Sequence, residues 1–265
     1  MKVVPEPRGA WACTLAAGLN GGVLHESGTI GVVISGGSVD PPAFRRLISQ
    51  PASPPAGRTP HVPDLDRPFP TVTQYASPDL IAAIVYDGHD QGADPRWAES
   101  GAPDLDTYRT WCGHMCGIAC LRMALLARTG DAPTLFELLD GARKYGAYTE
   151  DADSGAIHGL IYAPFAQYVH DVHRLHAEVH PTLTVPGLLA LLDSGRLVMA
   201  SVHKEIRRPE NPAPGKGGHL VLLTGRQGDT VHFRNPSGHT EQTRTANLPV
   251  AAFAEFFVGR GVSMT

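Results

Sequence analysis

The sequence predicts an α+β fold, in which a block of helices is followed by an antiparallel sheet. Three observations carry this prediction. Apolar residues recur with helical spacing between residues 116 and 194, they form short β-type runs after residue 196, and no internal repeat is present. Helices and strands that segregate along the chain in this way are typical of α+β proteins.

Four helices are predicted from their start and stop signals. The first covers residues 116–129 and ends at Gly130. The second opens with the capping box Thr134-Leu135-Phe136-Glu137 and runs toward Lys144. A third is expected from Ile157 to His170. A fourth, over residues 187–194, lies between Pro186 and Gly195.

Strands are predicted in the second half of the chain. The β-type runs are Arg196–His203, His219–Thr224 and Thr230–Arg234, and the last two are expected to form a hairpin around a turn at residues 225–229. A short helix over residues 249–257 and a closing strand over residues 259–264 complete the domain. Residues 79–86 fit either a helix or a buried strand.

The N-terminal part of the chain has a different composition. Residues 1–50 contain two short β-type runs and predict a small β-rich lobe. Residues 51–70 contain seven prolines and predict a linker or a surface loop. We therefore divide the chain into an N-terminal lobe with its linker, residues 1–100, and a main domain, residues 101–265.

Charge and composition restrict the classes of partner. The 265 residues carry 22 Lys and Arg against 26 Asp and Glu, and the basic residues form no stripe, so we expect no nucleic acid partner. The start of the chain does not fit a signal peptide, and no run of about 18 apolar residues occurs. The sequence predicts a cytoplasmic protein with no membrane partner, acting on a peptide or a small molecule.

Three of the four cysteines lie in the stretch "WCGHMCGIACLRMALL", residues 111–126. Cys116 falls in the first turn of the predicted helix, where free backbone N–H groups and the helix dipole favour a thiolate, so it is the expected nucleophile. Cys112 is the rival nucleophile or a redox partner, and Cys120 is expected to be an inert core residue. A metal site formed by three thiolates is disfavoured by the spacing.

A histidine and an asparagine could complete a site with this cysteine. His219 begins an apolar strand after two glycines, and Asn235 follows the partner strand. If the hairpin is centred near residue 227, His219 and Asn235 pair across it, and the amide oxygen lies beside the imidazole. His219 is then the expected general base, and Asn235 its orienting partner.

The segments "MCGIACLRMALL", "GGHLVLLTG" and "VHFRNPSG" together resemble the C39 and C39-like cysteine peptidases of the papain-like superfamily, over about residues 105–262. The resemblance implies a papain-like fold with helices packed on an antiparallel sheet. It also implies a Cys116 nucleophile, a His219 base and an orienting Asn235. The family usually has Asp rather than Asn at that last position.

The family also usually has Gln six residues before the cysteine as an oxyanion donor, and this chain has Thr110 there. The oxyanion hole is expected to use the Cys116 N–H with Thr110, Trp111 or His114, and loss of one donor costs a factor of about 100 to 1,000 in rate. Gly117 and Gly218 are expected to let substrate approach the cleft.

We therefore expect a cysteine peptidase or amidase that forms an acyl-Cys116 thioester on a peptide or amide. One alternative is an acyltransferase or amide-forming enzyme of a biosynthetic pathway, which would use the same site and take its acyl group from a small thioester or a carrier protein. Another is a scaffold that binds peptides without cleaving them. No metal and no cofactor is expected.

Overall fold

The computed structural model describes residues 69–265. The predicted β-rich lobe of residues 1–50 and the linker up to residue 68 lie outside the described residues. The described part is an α+β domain, as predicted, with helices on a six-stranded antiparallel sheet.

The helices share one pattern, in that most of them precede the sheet in the chain. Within residues 69–265 the α-helices are α1 Ile81–Tyr86, α2 Leu105–Trp111, α3 Cys116–Thr129, α4 Leu135–Lys144, α5 Tyr162–His173, α6 Val185–Asp193, α7 Glu241–Arg244 and α8 Val250–Phe256.

The strands form a single sheet in the described part of the chain. They are β1 Ala177–His180, β2 Leu197–His203, β3 Gly218–Gln227, β4 Thr230–Arg234, β5 Thr245–Pro249 and β6 Phe257–Met264. Their spatial order is β1-β6-β2-β3-β4-β5, and every neighbouring pair is antiparallel.

The sheet has a hydrophobic core on each face. Along β3, Leu220 and Leu222 belong to the core formed with α3, α4 and α5, whereas Val221 and Leu223 belong to the core formed with α6 and α8. Because successive side chains of a strand point to opposite faces, a strand buried on both sides is apolar throughout. The central strands therefore lack the polar alternation of a half-exposed sheet.

Local signals predicted several boundaries closely. α3 has the predicted bounds and ends at Gly130, whose φ of 79° suits a residue without a side chain. The capping box at Thr134 and Glu137 starts α4 as predicted. α5 begins later than predicted, at Tyr162, because residue 157 forms an isolated bridge with Glu150 instead of helix.

The hairpin of β3 and β4 differs from the prediction. β3 continues to Gln227, so the turn is Gly228–Asp229 rather than residues 225–229. Leu222 pairs with Arg234, with a register shift nearer the turn. His219 and Asn235 are therefore not directly opposite each other. The same register, continued, leads from His219 to Ser237.

Residues 69–100 pack in the same core as the residues that follow. Val72, Tyr75, Ile81 and Ile84 are buried in the core that contains α3. The segment 79–86, for which a helix and a buried strand were both open, is helical. The core of the described part thus begins before residue 101, the predicted start of the main domain.

Within residues 69–265 no single helix is long and apolar enough to span a membrane. Two consecutive segments, Leu105–His114 and Cys116–Thr129, pass by length and composition only when they are taken together, and they are bent by 85° at the break.

Candidate active site

Cys116 is the first residue of α3, and its side chain is partly buried. The first hydrogen bond of α3 runs from the Ala119 N–H to the carbonyl of Met115, the residue before the helix. The N–H groups of residues 116–118 therefore have no partner within the helix. The N terminus of α3 faces the start of β3, where the N–H of Leu220 acts on the Cys116 sulfur. The predicted nucleophile thus lies beside the strand that carries His219.

The ionisation of Cys116 differs from the sequence-based expectation. Burial raises the pKa of the Cys116 thiol above its ordinary value. The N–H groups of Leu220 and Gly117 and the charge of Arg207 lower this pKa, but by less than burial raises it. The helix N terminus therefore does not by itself produce a thiolate here, since desolvation is the larger effect.

The other two described cysteines are fully buried. Cys112 donates its S–H to Gln91 Oε1 at 2.6 Å, and burial raises the pKa of its thiol to about 12. Cys120 lies in the core with its sulfur 3.9 Å from the Leu220 carbonyl, and burial raises its pKa well above the ordinary value. All three are free thiols, and among the cysteines of residues 69–265 Cys116 is the one that is not fully buried.

His219 and Asn235 are in contact and are almost completely buried. His219 Nε2 lies 2.8 Å from Asn235 Oδ1, although the two residues are not paired across the hairpin. Asn235 reaches the ring because the chain turns away after β4, where its N–H donates to the Arg244 carbonyl. The predicted contact between His219 and Asn235 is present, but the hairpin register from which it was predicted is wrong.

A third residue settles which way the Asn235 amide points. The backbone N–H of Ser237 donates to Asn235 Oδ1 at 3.1 Å, and a backbone N–H can only donate. Since Oδ1 is therefore the acceptor, the proton between this atom and His219 is carried by Nε2. The lone pair of the imidazole is then on Nδ1, the ring nitrogen that is available as a base.

The environment of His219 favours the neutral imidazole. Burial, with a smaller contribution from the Arg207 charge, lowers the pKa of His219 to about 3, and the hydrogen bond to Asn235 opposes this change. Asn235 provides orientation without the negative charge that an Asp would place there. Burial of both groups therefore favours a neutral imidazole at His219 and a neutral thiol at Cys116 at pH 7.

Ser237 is a site residue that the sequence analysis missed. It is fully buried, and its Oγ lies 3.0 Å from His219 Nε2 and 2.7 Å from the Nε of Arg207, which donates to it. The signal that could have found Ser237 is the hairpin register, because a turn at residues 228–229 followed by the register shift between Leu223 and Gly225 places residue 237 across from His219.

The three residues expected to complete an oxyanion hole lie in different surroundings. Thr110 is exposed, and its hydroxyl donates to the Asp106 carbonyl within α2. Trp111 is buried against Tyr148, under the guanidinium of Arg143. His114 is exposed, in the turn before α3. The structure does not gather these three side chains around one point.

The two glycines expected in the cleft are also placed differently from each other. Gly117 is buried, and a Cβ at this position would lie 2.8 Å from Leu160 Cδ2 and 3.1 Å from the Tyr148 hydroxyl. Gly117 therefore permits close packing. Gly218 is exposed with a φ of 90°, and a Cβ there would meet no atom within 4 Å. Only Gly218 borders open space.

Two glutamines from before the predicted main domain pack against the turn that precedes Cys116. Gln74 is buried, and its Nε2 donates to the Cys112 carbonyl at 2.9 Å, while its backbone N–H donates to the Pro236 carbonyl. Gln91 accepts from the Cys112 thiol. Sequence analysis missed both, since neither lies near Cys116 in the chain.

No group of three or more His, Cys, Asp or Glu side chains that could hold a metal ion occurs within residues 69–265. The buried polar atoms without a partner in this part of the chain are Gln74 Oε1, Tyr148 Oη and Asn235 Nδ2. They belong to three residues that adjoin the cysteine turn, α3 or His219.

No protein-family model and no curated protein matches the chain. Several solved structures are similar to it, among them the following two. One is a C39-like peptidase from Bacillus anthracis, at 13% identity and a TM-score of 0.41, covering 57% of this chain and 88% of that one. The other is the peptidase domain of Streptococcus ComA, a bi-functional ABC transporter of a quorum-sensing pathway, at 11% identity and a TM-score of 0.38, covering 57% and 91%. At these values the likeness assigns no activity to this chain.

Proposed function

We propose that this chain is a cysteine hydrolase that cleaves a peptide or amide bond through an acyl-Cys116 thioester. The observation that carries the proposal is the buried hydrogen bond of 2.8 Å between His219 Nε2 and Asn235 Oδ1, oriented by the Ser237 N–H. It leaves His219 Nδ1 as the basic nitrogen, next to the strand residue whose N–H acts on the Cys116 sulfur. The resemblance of the sequence motifs to C39-like cysteine peptidases agrees with these roles.

The reaction has two halves. In the first, Nδ1 of His219 removes the thiol proton as the Cys116 sulfur attacks the substrate carbonyl, and the S–C bond forms. The tetrahedral intermediate then expels the amine, which takes the proton from His219. In the second half, water attacks the thioester and His219 accepts one proton from this water. The S–C bond then breaks, the carboxylic acid leaves, and His219 returns the proton to the Cys116 sulfur.

The neutral resting state makes His219 a general base rather than half of a preformed ion pair. Because the thiol pKa is raised and the imidazole pKa is lowered, proton transfer accompanies the attack. The imidazolium that forms is stabilised by Asn235 Oδ1, which already accepts from Nε2. The N–H groups of Cys116 and Gly117 at the N terminus of α3, which act on the sulfur, are the candidate donors for the oxyanion.

The test is acyl transfer from p-nitrophenyl acetate, followed by intact mass and peptide mapping in a Cys13→Ser background. The reagent acetylates the reactive thiol and releases p-nitrophenolate. We expect one acetyl group on Cys116 that hydroxylamine removes, as it removes a thioester. Cys116→Ala should abolish this adduct, and the matched variant Cys112→Ala should retain it.

His219→Gln should slow acetylation of Cys116 by a factor of about 100 to 10,000, the usual contribution of a general base. An adduct that persists in Cys116→Ala, or a rate unchanged in His219→Gln, would contradict the proposed function.

A further inference from the structure

The guanidinium of Arg207 lies beside the candidate active site in a fixed position. Arg207 belongs to the short 3₁₀ segment Lys204–Arg207 that follows β2. Its neighbour Ile206 is buried in the core formed with α6 and α8. Its Nε donates to Ser237 Oγ at 2.7 Å, and this hydroxyl lies 3.0 Å from His219 Nε2. One hydroxyl therefore separates the cation from the ring of the base.

The terminal nitrogens of Arg207 differ from those of the arginines around it. Arg208 forms an ion pair with Glu205 at 2.7 Å, and its guanidinium lies over the ring of Tyr86. Arg234 and Arg244 donate to the carbonyls of Phe69 and Pro78. Within residues 69–265, Arg207 donates one hydrogen bond, from Nε, and no carboxylate oxygen lies within 4 Å of its guanidinium nitrogens.

Among residues 69–265, this arrangement gives the partly buried positive charge of Arg207 no counter-ion. Burial lowers the pKa of Arg207, while the nearby groups Tyr75, Tyr86, Cys116 and Glu205 favour the charged form. The two tyrosines are uncharged at pH 7, and Glu205 is already paired with Arg208. A desolvated guanidinium without a partner is unfavourable unless a ligand supplies the anion, and a carboxylate matches its two terminal nitrogens.

The charge also acts on both reacting groups. Arg207 lowers the pKa of the Cys116 thiol and the pKa of His219, as expected for a cation close to both. An anion bound to Arg207 would therefore lie beside the Ser237–His219 hydrogen bond and act on the same two groups.

We infer that Arg207 forms a subsite for a carboxylate carried by the substrate close to the scissile bond. This inference rests on the proposed function and adds the substrate class, which is an acyl compound or peptide with an acidic group at this position. Ser237 orients the guanidinium, and Arg207 is then a specificity-determining residue.

Two alkylating reagents of nearly the same size test the subsite without knowledge of the substrate. Iodoacetate carries a carboxylate, whereas iodoacetamide is neutral, and each forms an S–C bond with Cys116 as iodide leaves and the thiol proton is lost. The rate constants are measured at pH 7 in the full chain with Cys13→Ser, because His219 is then neutral and cannot itself attract iodoacetate.

The readout is the iodoacetate-to-iodoacetamide rate ratio for Cys116. We expect this ratio to fall about tenfold in Arg207→Gln, equivalent to roughly 1.4 kcal/mol. It should be retained in the control Arg208→Gln, which removes the adjacent charge. A general structural disturbance would slow both reagents and leave the ratio unchanged. Equal ratios in wild type and Arg207→Gln would overturn the subsite.

A second measurement separates failure of the subsite from failure of the proposed function. If Cys116 resists both reagents and is not acetylated by p-nitrophenyl acetate in the wild type, the nucleophile assignment is wrong. The subsite is then judged in Cys116→Ala by NMR of the Arg207 Nε–H during titration with N-acetylglycine or the neutral N-acetylglycinamide. A change with the acid alone supports the subsite, and no change with either overturns it.

Discussion

Cys112 and Cys116 are four residues apart, and the two sides of the turn between them differ in their surroundings. On the Cys112 side, the residue is fully buried, and its thiol donates to Gln91 Oε1. The carbonyl of Cys112 accepts a hydrogen bond from Gln74 Nε2. On the Cys116 side, the residue is only partly buried at the start of α3 and faces the start of β3. The difference shows that burial and hydrogen-bond partners, rather than closeness to a helix N terminus, separate a structural thiol from a candidate nucleophile.

The largest expected effect is a difference in alkylation rate between Cys116 and Cys112. In the folded Cys13→Ser protein, iodoacetamide should label Cys116, and Cys112 should react at least about a thousandfold more slowly, because its sulfur is exposed only when the structure opens. Peptide mapping of labelled samples with and without urea measures both rates. Comparable labelling of the two cysteines without urea would remove the distinction.

The pH dependence of stability tests the buried base on the Cys116 side. The pKa of His219 is about 3 in the folded chain and near 6.5 when unfolded, so between these values the unfolded state binds more protons. Stability should therefore fall as the pH falls, by about 3 kcal/mol from pH 7 to pH 4 through this residue.

Urea unfolding of wild type and His219→Gln at the two pH values measures this contribution, which the variant should lack. His158→Gln, which alters an exposed histidine, is the control and should keep the wild-type pH dependence. If His219→Gln keeps it as well, the depressed pKa of His219 is wrong.

Asn235→Asp adds a negative charge beside His219 and leaves the surroundings of Cys112 unchanged. A carboxylate can accept from both His219 Nε2 and the Ser237 N–H, and it removes the buried Nδ2 that has no partner within residues 69–265. The negative charge should raise the pKa of His219 by about 1 to 3. NMR titration of the ring measures the change, with Ser237→Ala as the variant that alters hydrogen bonding without adding charge. An unchanged His219 titration would show that residue 235 does not act on the imidazole.

Substitutions around Cys112 should change the free energy of unfolding and not the reactivity of Cys116. Gln74→Ala removes the donor to the Cys112 carbonyl and should reduce the free energy of unfolding by about 1 to 3 kcal/mol, the cost of an unsatisfied buried group. Gln74→Met keeps most of the volume and separates the hydrogen bond from packing. Urea unfolding gives both values, and equal stability of all three proteins would mean that this contact contributes nothing.

Sequence signals predicted the parts of this domain that depend on local chemistry. The bounds of α3 follow from its apolar residues and Gly130, and the start of α4 follows from the pairing of Thr134 with Glu137. Local patterns also pointed to His219 and Asn235, since each adjoins a clear β-type run. Such features can be read from a few neighbouring residues because the interactions that cause them are local.

The parts that sequence reasoning missed depend on contacts between distant segments. Gln74 reaches Cys112 from 38 positions away, and Arg207 reaches Ser237 from 30. The predicted hairpin register was wrong because β3 extends past Gly225 to Gln227. In the observed register Ser237, and not Asn235, lies across from His219. The pKa of Cys116 could not be predicted either, since the helix N terminus is visible in the sequence but the burial that outweighs it is not.

The smallest expected effect concerns Thr110, which stands where the resembled family has its glutamine. Its hydroxyl is exposed and already donates to the Asp106 carbonyl, so it lies on the outer surface of α2. Thr110→Ala should change the acetylation rate of Cys116 by less than about twofold and the stability by no more than about 0.5 kcal/mol. A loss of 100-fold or more, the usual effect of removing an oxyanion donor, would instead place Thr110 in the site and shift the boundary between the two sides of the turn.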